Sequence, residues 1–287
     1  MRAGETLRLL FRGPTAIVAA AVLVVLIVTA FLGEQLAPHE ATGTDVGNRL
    51  QGPSADHWFG TDELGRDVLS RVILGAEVSL RVGAVAVGIS LVAGVLIGLL
   101  AGYYGRWVDD VLMRLSDVLF AFPAMLMAIA VLAILGPGST NAMIAIGIVY
   151  TPIFARITRA SVLSVREEVY VKAARSAGAG DLRIIGRHVL PNVTAPIIVQ
   201  TSISLAFAIL SEAALSFVGL GTQPPEPSWG RMLAEGRGFV EQAWWMAVFP
   251  GLAIFVTVLA FNVLGDALRD VLDPRQRQAM AGTGVSA

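Results

Sequence analysis

VGAVAVGISLVAGVLIGLLAGYYG, residues 82–105, contains no Asp, Glu, Lys, Arg or His. As a helix rising ~1.5 Å per residue it reaches about 36 Å. That is enough to cross the ~30 Å hydrocarbon core of a bilayer. Four further runs lack ionisable residues in the same way: Gly13–Gly33, Val118–Ala155, Val189–Ser211 and Ala243–Gly265. The run 118–155 is too long for one helix and breaks at Gly136-Pro137-Gly138-Ser139. Splitting it predicts an all-α integral membrane protein with six transmembrane helices. Helices are expected because lipid cannot hydrogen-bond an open backbone.

Composition agrees. The chain has 287 residues, 55% of them hydrophobic and 15% charged, against about 25% charged in a soluble domain. Mean hydropathy is +0.70. A net charge of −1 provides no basic field for nucleic acid. The absence of cysteine excludes disulfides, thiol catalysis and thiolate metal sites. The first run has an apolar core longer than a signal peptide's, and Gly33-Glu34-Gln35 is a poor cleavage site, so it reads as a retained anchor.

The basic residues predict the orientation. With the N-terminus inside, fifteen of the 21 Lys and Arg residues fall in inner segments. Both termini are then cytoplasmic. Residues 34–81 form a long outer segment whose second half carries apolar residues at helical spacing. They suit either an amphipathic helix at the interface or an outward extension of the second span. Trp229, Trp244 and Trp245 read as interfacial anchors. Pro123 and Pro152 are expected to bend their helices. Ser90, Gln200, Ser204 and Asn262 are expected to serve helix–helix hydrogen bonds. Gly94, Gly98 and Gly102 make two overlapping G-x-x-x-G units, a flat strip for a close helix contact within this chain or with a partner.

Several chemistries are missing. No G-x-x-x-x-G-K-[ST] precedes Lys172, the only lysine, so this chain has no phosphate-binding loop for ATP. His39, His57 and His188 are scattered, without H-E-x-x-H, and no metal site is expected. Glu212, toward the outer end of the fifth span, is the ionisable residue nearest a membrane interior and a candidate cavity residue. Uphill transport by this chain would need work done by another subunit. The alternative is a self-sufficient secondary transporter or channel.

One inner segment suits a mechanical contact: VKAARSAGAGDLRIIGRHVLPN, Val171–Asn192. Ala173, Ala174 and Ala177 favour a helix, Gly178 can end it in a left-handed conformation, and Asp181 can cap a second. The small residues leave a smooth surface, and Arg175, Arg183 and Arg187 can pair with carboxylates at the edge of a groove.

The segment resembles the cytoplasmic coupling loop of ATP-binding-cassette importer permeases, which reads E-A-A, three residues, G, nine residues, I, one residue, L-P. Ala173-Ala174, Gly178 and Leu190-Pro191 match at that spacing, while Lys172 and His188 stand where the family has an acidic residue and isoleucine. "HWFGTDELGRDVLSRVILGAEVSLRVG", "ALSFVGLGTQPPEPSWGRML" and "GDALRDVLDPR" are similar to segments of the C-type permease subunits of dipeptide, oligopeptide and nickel importers. The resemblance implies a type I importer permease fold in the cytoplasmic membrane of a bacterium or archaeon. It implies residues 1–76 as N-terminus, first span and outer loop, 77–270 as permease core with a coupling loop at 165–190, and 271–287 as a cytoplasmic tail. It implies a non-catalytic pore subunit for di- or oligopeptides or a related solute, with no cofactor of its own. The implied partners are a homologous B-type permease, two ATPases that bind ATP and Mg, and an extracytoplasmic binding protein. The coupling residues would be Glu168, Lys172, Ala173, Ala174, Arg175, Gly178, Asp181, Arg187, Leu190 and Pro191.

Overall fold

The structure, a computed structural model, describes residue 11 and residues 13–272. The basic residues Arg2, Arg8 and Arg12 and the tail beyond Leu272 lie outside the described residues. Among those described, the elements are helical. They are α1 (Pro14–Phe31), α2 (Val68–Tyr104), α3 (Arg106–Phe120), α4 (Ala124–Leu135), α5 (Ser139–Val165), α6 (Val169–Ser176), α7 (Asp181–Ile184), α8 (Leu190–Phe217), α9 (Trp229–Gly236) and α10 (Trp245–Leu272), with a single helical turn Gly33–Leu36 and a 3-10 turn Val46–Asn48 between α1 and α2. A π-helical turn, Ile185–Val189, joins α7 to α8, so one helical path runs from Asp181 to Phe217.

Five helical stretches are long and apolar enough to cross a membrane, and α3 with α4 makes a sixth bent by 92°. The break is Ala121-Phe122-Pro123. Pro123 lacks the N–H that would continue α3, and its ring disfavours a helical residue before it. The bend expected at Pro123 is thus a full break, and the third span is two pieces. α4 alone, at 12 residues, reaches about 18 Å.

The second span is also longer than its uncharged run. α2 has 37 residues, begins at Asp67, which caps it by accepting from the Ser70 N–H, and runs unbroken to Tyr104. The helical spacing after residue 67 is thus an extension of the span, and no separate interfacial helix forms. The expected boundary at 76/77 falls inside this helix.

The core lies between α2, α5 and α8. Val82, Ala86, Phe154, Ala155, Val162, Val193 and Leu215 are buried there. The glycine strip faces α5 within the chain. A Cβ on Gly94 would stand 2.4 Å from Phe154 Cβ, and one on Gly98 2.5 Å from the Ala155 carbonyl oxygen. α1 packs sideways on α10 through Ala19, Leu23 and Ala260, while Val18, Val25, Phe31 and Ile134 point outward, as suits an apolar solvent.

At the end away from residues 166–187, the loop before α2 is tied to α9 and α10. Trp245 donates its indole N–H to the Thr61 carbonyl at 2.9 Å, and Trp229 donates to the Val72 carbonyl at 2.9 Å. Both are buried, so of the three expected anchors Trp229, Trp244 and Trp245, only Trp244 is exposed as the role requires. Arg71 and Arg66 bridge Asp62 of the loop and Glu235 of α9 at 2.6–3.3 Å. Burial holds the nearby Glu63 carboxyl above its ordinary range. Ser90, Gln200, Ser204 and Asn262, expected to bond between helices, serve their own: Ser90 donates to the Val87 carbonyl, Gln200 to Ser204, and Asn262 to the Val258 carbonyl, while Tyr150 of α5 reaches Ser211 of α8 at 3.0 Å.

Candidate functional site: the basic elbow

The elbow comprises α6, a turn at 177–180, α7 and the π turn. α6 ends as expected. Gly178 adopts φ +80°, which carries no Cβ penalty in glycine. The N–H of Ala179 donates to the Ala174 carbonyl at 3.1 Å, and that of Gly178 to the Arg175 carbonyl at 3.0 Å, satisfying the last carbonyls of the helix. The second helix departs from expectation. Gly180, not Asp181, occupies the cap position, and the Asp181 side chain instead accepts a hydrogen bond from the Tyr103 hydroxyl at 2.7 Å. Leu190 and Pro191 open α8 directly after the π turn, whose wider winding carries the helical path past the N–H that proline lacks.

The elbow is carried stiffly. Val171, Ile184 and Val189 are fully buried and belong to the same core as α2 and α5. The Arg175 guanidinium lies over the Tyr103 ring, 5.4 Å from its centroid. Arg166 donates to the Gly102 carbonyl at 2.7 Å. Arg159 of α5 grips Asp109 of α3 with two bonds of 2.5 and 2.6 Å, a charge-assisted fork. Lys172 sits 3.1 Å from Glu167 and holds that carboxyl below the usual carboxylate range.

Two details correct the expected docking surface. Ala174 is half-buried against the core and does not join the outward face, because α6 turns Val171 and Ala174 inward together. Leu182 is 84% exposed and Val169 80% exposed, so the apolar residues of the elbow divide between anchor and surface. The outward face consists of Glu168, Val169, Lys172, Ala173, Arg175, Ala177, Gly178, Asp181, Leu182, Arg183 and Arg187. Leu182 and Tyr103 escaped the sequence reading. A leucine in a helical period reads as buried, and nothing local links Tyr103 to a residue 78 positions away.

Glu212, offered as a cavity residue, is 1% exposed. Its carboxylate accepts from the Ser216 hydroxyl at 2.7 Å and the Thr222 hydroxyl at 3.3 Å. It straps the turn after α8 to that helix.

Tyr103→Phe removes the side-chain hydrogen bond between α2 and Asp181 of the elbow. The expected cost is about 1 kcal/mol, since Asp181 is exposed and can be hydrated. The melting temperature of the purified protein should fall by about 2–4 °C at unchanged membrane abundance; a value equal to wild type would show that the tie carries no load.

Residues 94–278 match the family model described as binding-protein-dependent transport system inner membrane component. Residues 3–53 match the N-terminal transmembrane domain of oligopeptide transport permease C. The chain is 48% identical over 273 residues to the dipeptide transport system permease protein DppC of Alkalihalophilus pseudofirmus, covering 95% of this chain and 90% of that relative. It is 46% identical over 272 residues to the glutathione transport system permease protein GsiD of Pectobacterium atrosepticum, covering 94% and 90%. Among solved structures, an amino acid ABC transporter described with histidines aligns at TM-score 0.54 and 18% identity, over 70% of this chain and 94% of that one. The MetNI methionine ABC transporter in inward-facing form aligns at TM-score 0.54 and 17% identity, over 70% and 96%. The long helices around an α2–α5–α8 core, the outward elbow and these likenesses agree: the chain belongs to the binding-protein-dependent inner membrane components, the pore-forming permease subunits of ATP-binding-cassette importers.

Proposed function

We propose that this permease carries di- or oligopeptides into the cytoplasm as one half of a two-permease pore. Its elbow seats in a groove of a cytoplasmic ATPase. The chain contributes no catalytic group; ATP and Mg are bound by the two ATPase partners, and peptide arrives on an extracytoplasmic binding protein. ATP-driven approach of the ATPases moves the elbows, and the rigid tie to α2 and α8 turns that motion into opening of the opposite end. The peptide substrate rests on the relatives' names. The coupling role rests on one observation: a basic, outward-facing elbow with an apolar tip at Leu182, pinned by buried Val171, Ile184 and Val189. Arg183 and Arg187, both exposed, supply the charge for acidic groups at the groove edge.

The orientation and the division of labour are tested together. The chain has no cysteine, so single cysteines at Ala177 and at Ser54 report sidedness directly. In intact cells a membrane-impermeant maleimide should label the Ser54 variant and leave the Ala177 variant unlabelled. In proteoliposomes, the complete four-subunit assembly with binding protein should accumulate peptide only with ATP, and this chain alone should accumulate none. Labelling of Ala177→Cys from outside, or uptake by the isolated chain, would overturn the reading.

A further inference from the structure

His39 and His57 lie 18 positions apart in the sequence, yet the fold sets their rings with centroids 4.8 Å apart. Both face the same carboxylate. His57 Nδ1 is 3.0 Å from Asp67 Oδ1, and His39 Nδ1 is 3.8 Å from Asp67 Oδ2. One ligand atom from each of the three residues lies within 4.8 Å of the others.

From this geometry we propose that His39, His57 and Asp67 bind one divalent transition-metal ion, Zn2+ foremost, which clips the loop before α2 to the start of that helix.

Distance supports the ligand set. Two N or O atoms bound tetrahedrally to one Zn2+ at ~2.0–2.1 Å stand about 3.4 Å apart. The two observed separations, 3.0 Å from His57 to Oδ1 and 3.8 Å from His39 to Oδ2 of the same carboxylate, fall on either side of that value. Closing the widest separation requires movement of about 1.5 Å, and the freedom for it belongs to His39, whose side chain is 42% exposed. His57 and Asp67 are held more firmly, at 14% and 1% exposure.

The ligands are also fastened from behind. Asp67 Oδ2 accepts from both the Ser70 N–H, at 2.8 Å, and the Ser70 hydroxyl, at 2.7 Å. The same hydroxyl oxygen accepts from the His39 backbone N–H at 3.0 Å. The His57 backbone is pinned by the Ser54 side chain at 3.1 Å. Oδ1 of Asp67 faces His57 Nδ1 directly, at 3.0 Å. A bonded second shell of this kind orients metal ligands and sets their basicity.

Chemistry selects the ion. Two imidazoles with one carboxylate suit borderline cations such as Zn2+, Co2+ or Ni2+, whereas Mg2+ and Ca2+ prefer oxygen sets. Three protein ligands leave a fourth position for water on the exposed His39 side, an arrangement Zn2+ accepts. An ion here joins residues 39, 57 and 67, adding a link to the backbone bonds Leu50–Asp62, Thr61–Gln51 and Val68–Gly60 that already fold the loop on itself.

The test uses the full chain, purified in detergent, stripped with EDTA and desalted. Calorimetric titration with ZnCl2 should give one site per chain, with no response to MgCl2. His39→Gln and His57→Gln should each abolish that site, and Ser70→Ala should weaken it about 10–100-fold. Co2+ should yield a ligand-field spectrum in the visible that Zn2+ displaces. An arm without variants guards against misfolding. Zn2+ should protect His39 of the wild type from diethyl pyrocarbonate, and leave His188, at the opposite end of the bundle, reactive. Unchanged Zn2+ stoichiometry in both histidine variants, or failure of Zn2+ to protect His39, would overturn the proposal.

Discussion

Gly178→Asp is expected to reduce peptide uptake at least tenfold while leaving the protein in the membrane at near wild-type abundance. A Cβ at position 178 meets nothing within 4 Å, so the substitution creates no internal clash. The residue needs φ +80°, a conformation that Asp and Asn tolerate better than other side-chain-bearing residues. The two replacements are nearly isosteric, and comparing them isolates charge. Gly178→Asn should lose part of the rate through bulk in the docked turn. Gly178→Asp should lose more, because its carboxylate would face the acidic groove edge that the arginines engage. Uptake of labelled dipeptide in cells, scaled to immunoblot abundance, measures the effect. Co-purification of the ATPases should fall in parallel. Full uptake by Gly178→Asp would remove the docking role from the elbow, and with it the proposed route by which ATP drives this chain.

A second large effect is expected at Gly98, where the consequence is assembly of the fold itself. A Cβ there would stand 2.5 Å from the Ala155 carbonyl oxygen, 2.6 Å from Thr158 Cβ and 2.9 Å from the Arg159 backbone nitrogen. Two of these three atoms are backbone, and a rotamer change cannot move them. Helices α2 and α5 must separate, which opens the most extensive contact in the bundle. Overpacking costs typically about 1–3 kcal/mol when side chains can yield; Gly98→Leu, pushing backbone, should exceed that range. The monodisperse fraction in detergent should fall severalfold. Gly88, on the same helix, is the control: a Cβ there meets nothing within 4 Å. Gly88→Ala should be neutral or stabilising by about 0.5–1 kcal/mol, since alanine restricts the unfolded chain. Equal behaviour of Gly98→Leu and Gly88→Ala would show that the strip does not hold the helices.

The contrast between these glycines bears on how much was readable in advance. Spacing by four identified Gly94, Gly98 and Gly102 as a contact strip, but could not choose between α5 and a partner chain. The choice depends on which helix arrives opposite, a relation between residues some fifty positions apart. The same limit explains the tryptophans. Trp229 and Trp245 are amphipathic wherever they stand, and only the carbonyls of Val72 and Thr61 draw their N–H groups inward. It also explains the histidines, whose sequence spacing matches no metal motif until the loop folds back on Asp67.

Sequence alone determined what depends on a residue and its near neighbours. Runs without charge required helices in lipid, Pro123 marked a bend, and Gly178 allowed a left-handed turn. It also carried the family, through motifs whose order and spacing survive without coordinates. Tertiary structure decided everything that depends on which face meets protein and which meets lipid: Ala174 inward, Leu182 outward, Glu212 sealed beneath a turn, Tyr103 tied to Asp181. The physical reason is that both surroundings of a membrane helix are apolar. Hydropathy marks the span but does not distinguish its two sides, and only the arrival of a packing partner does.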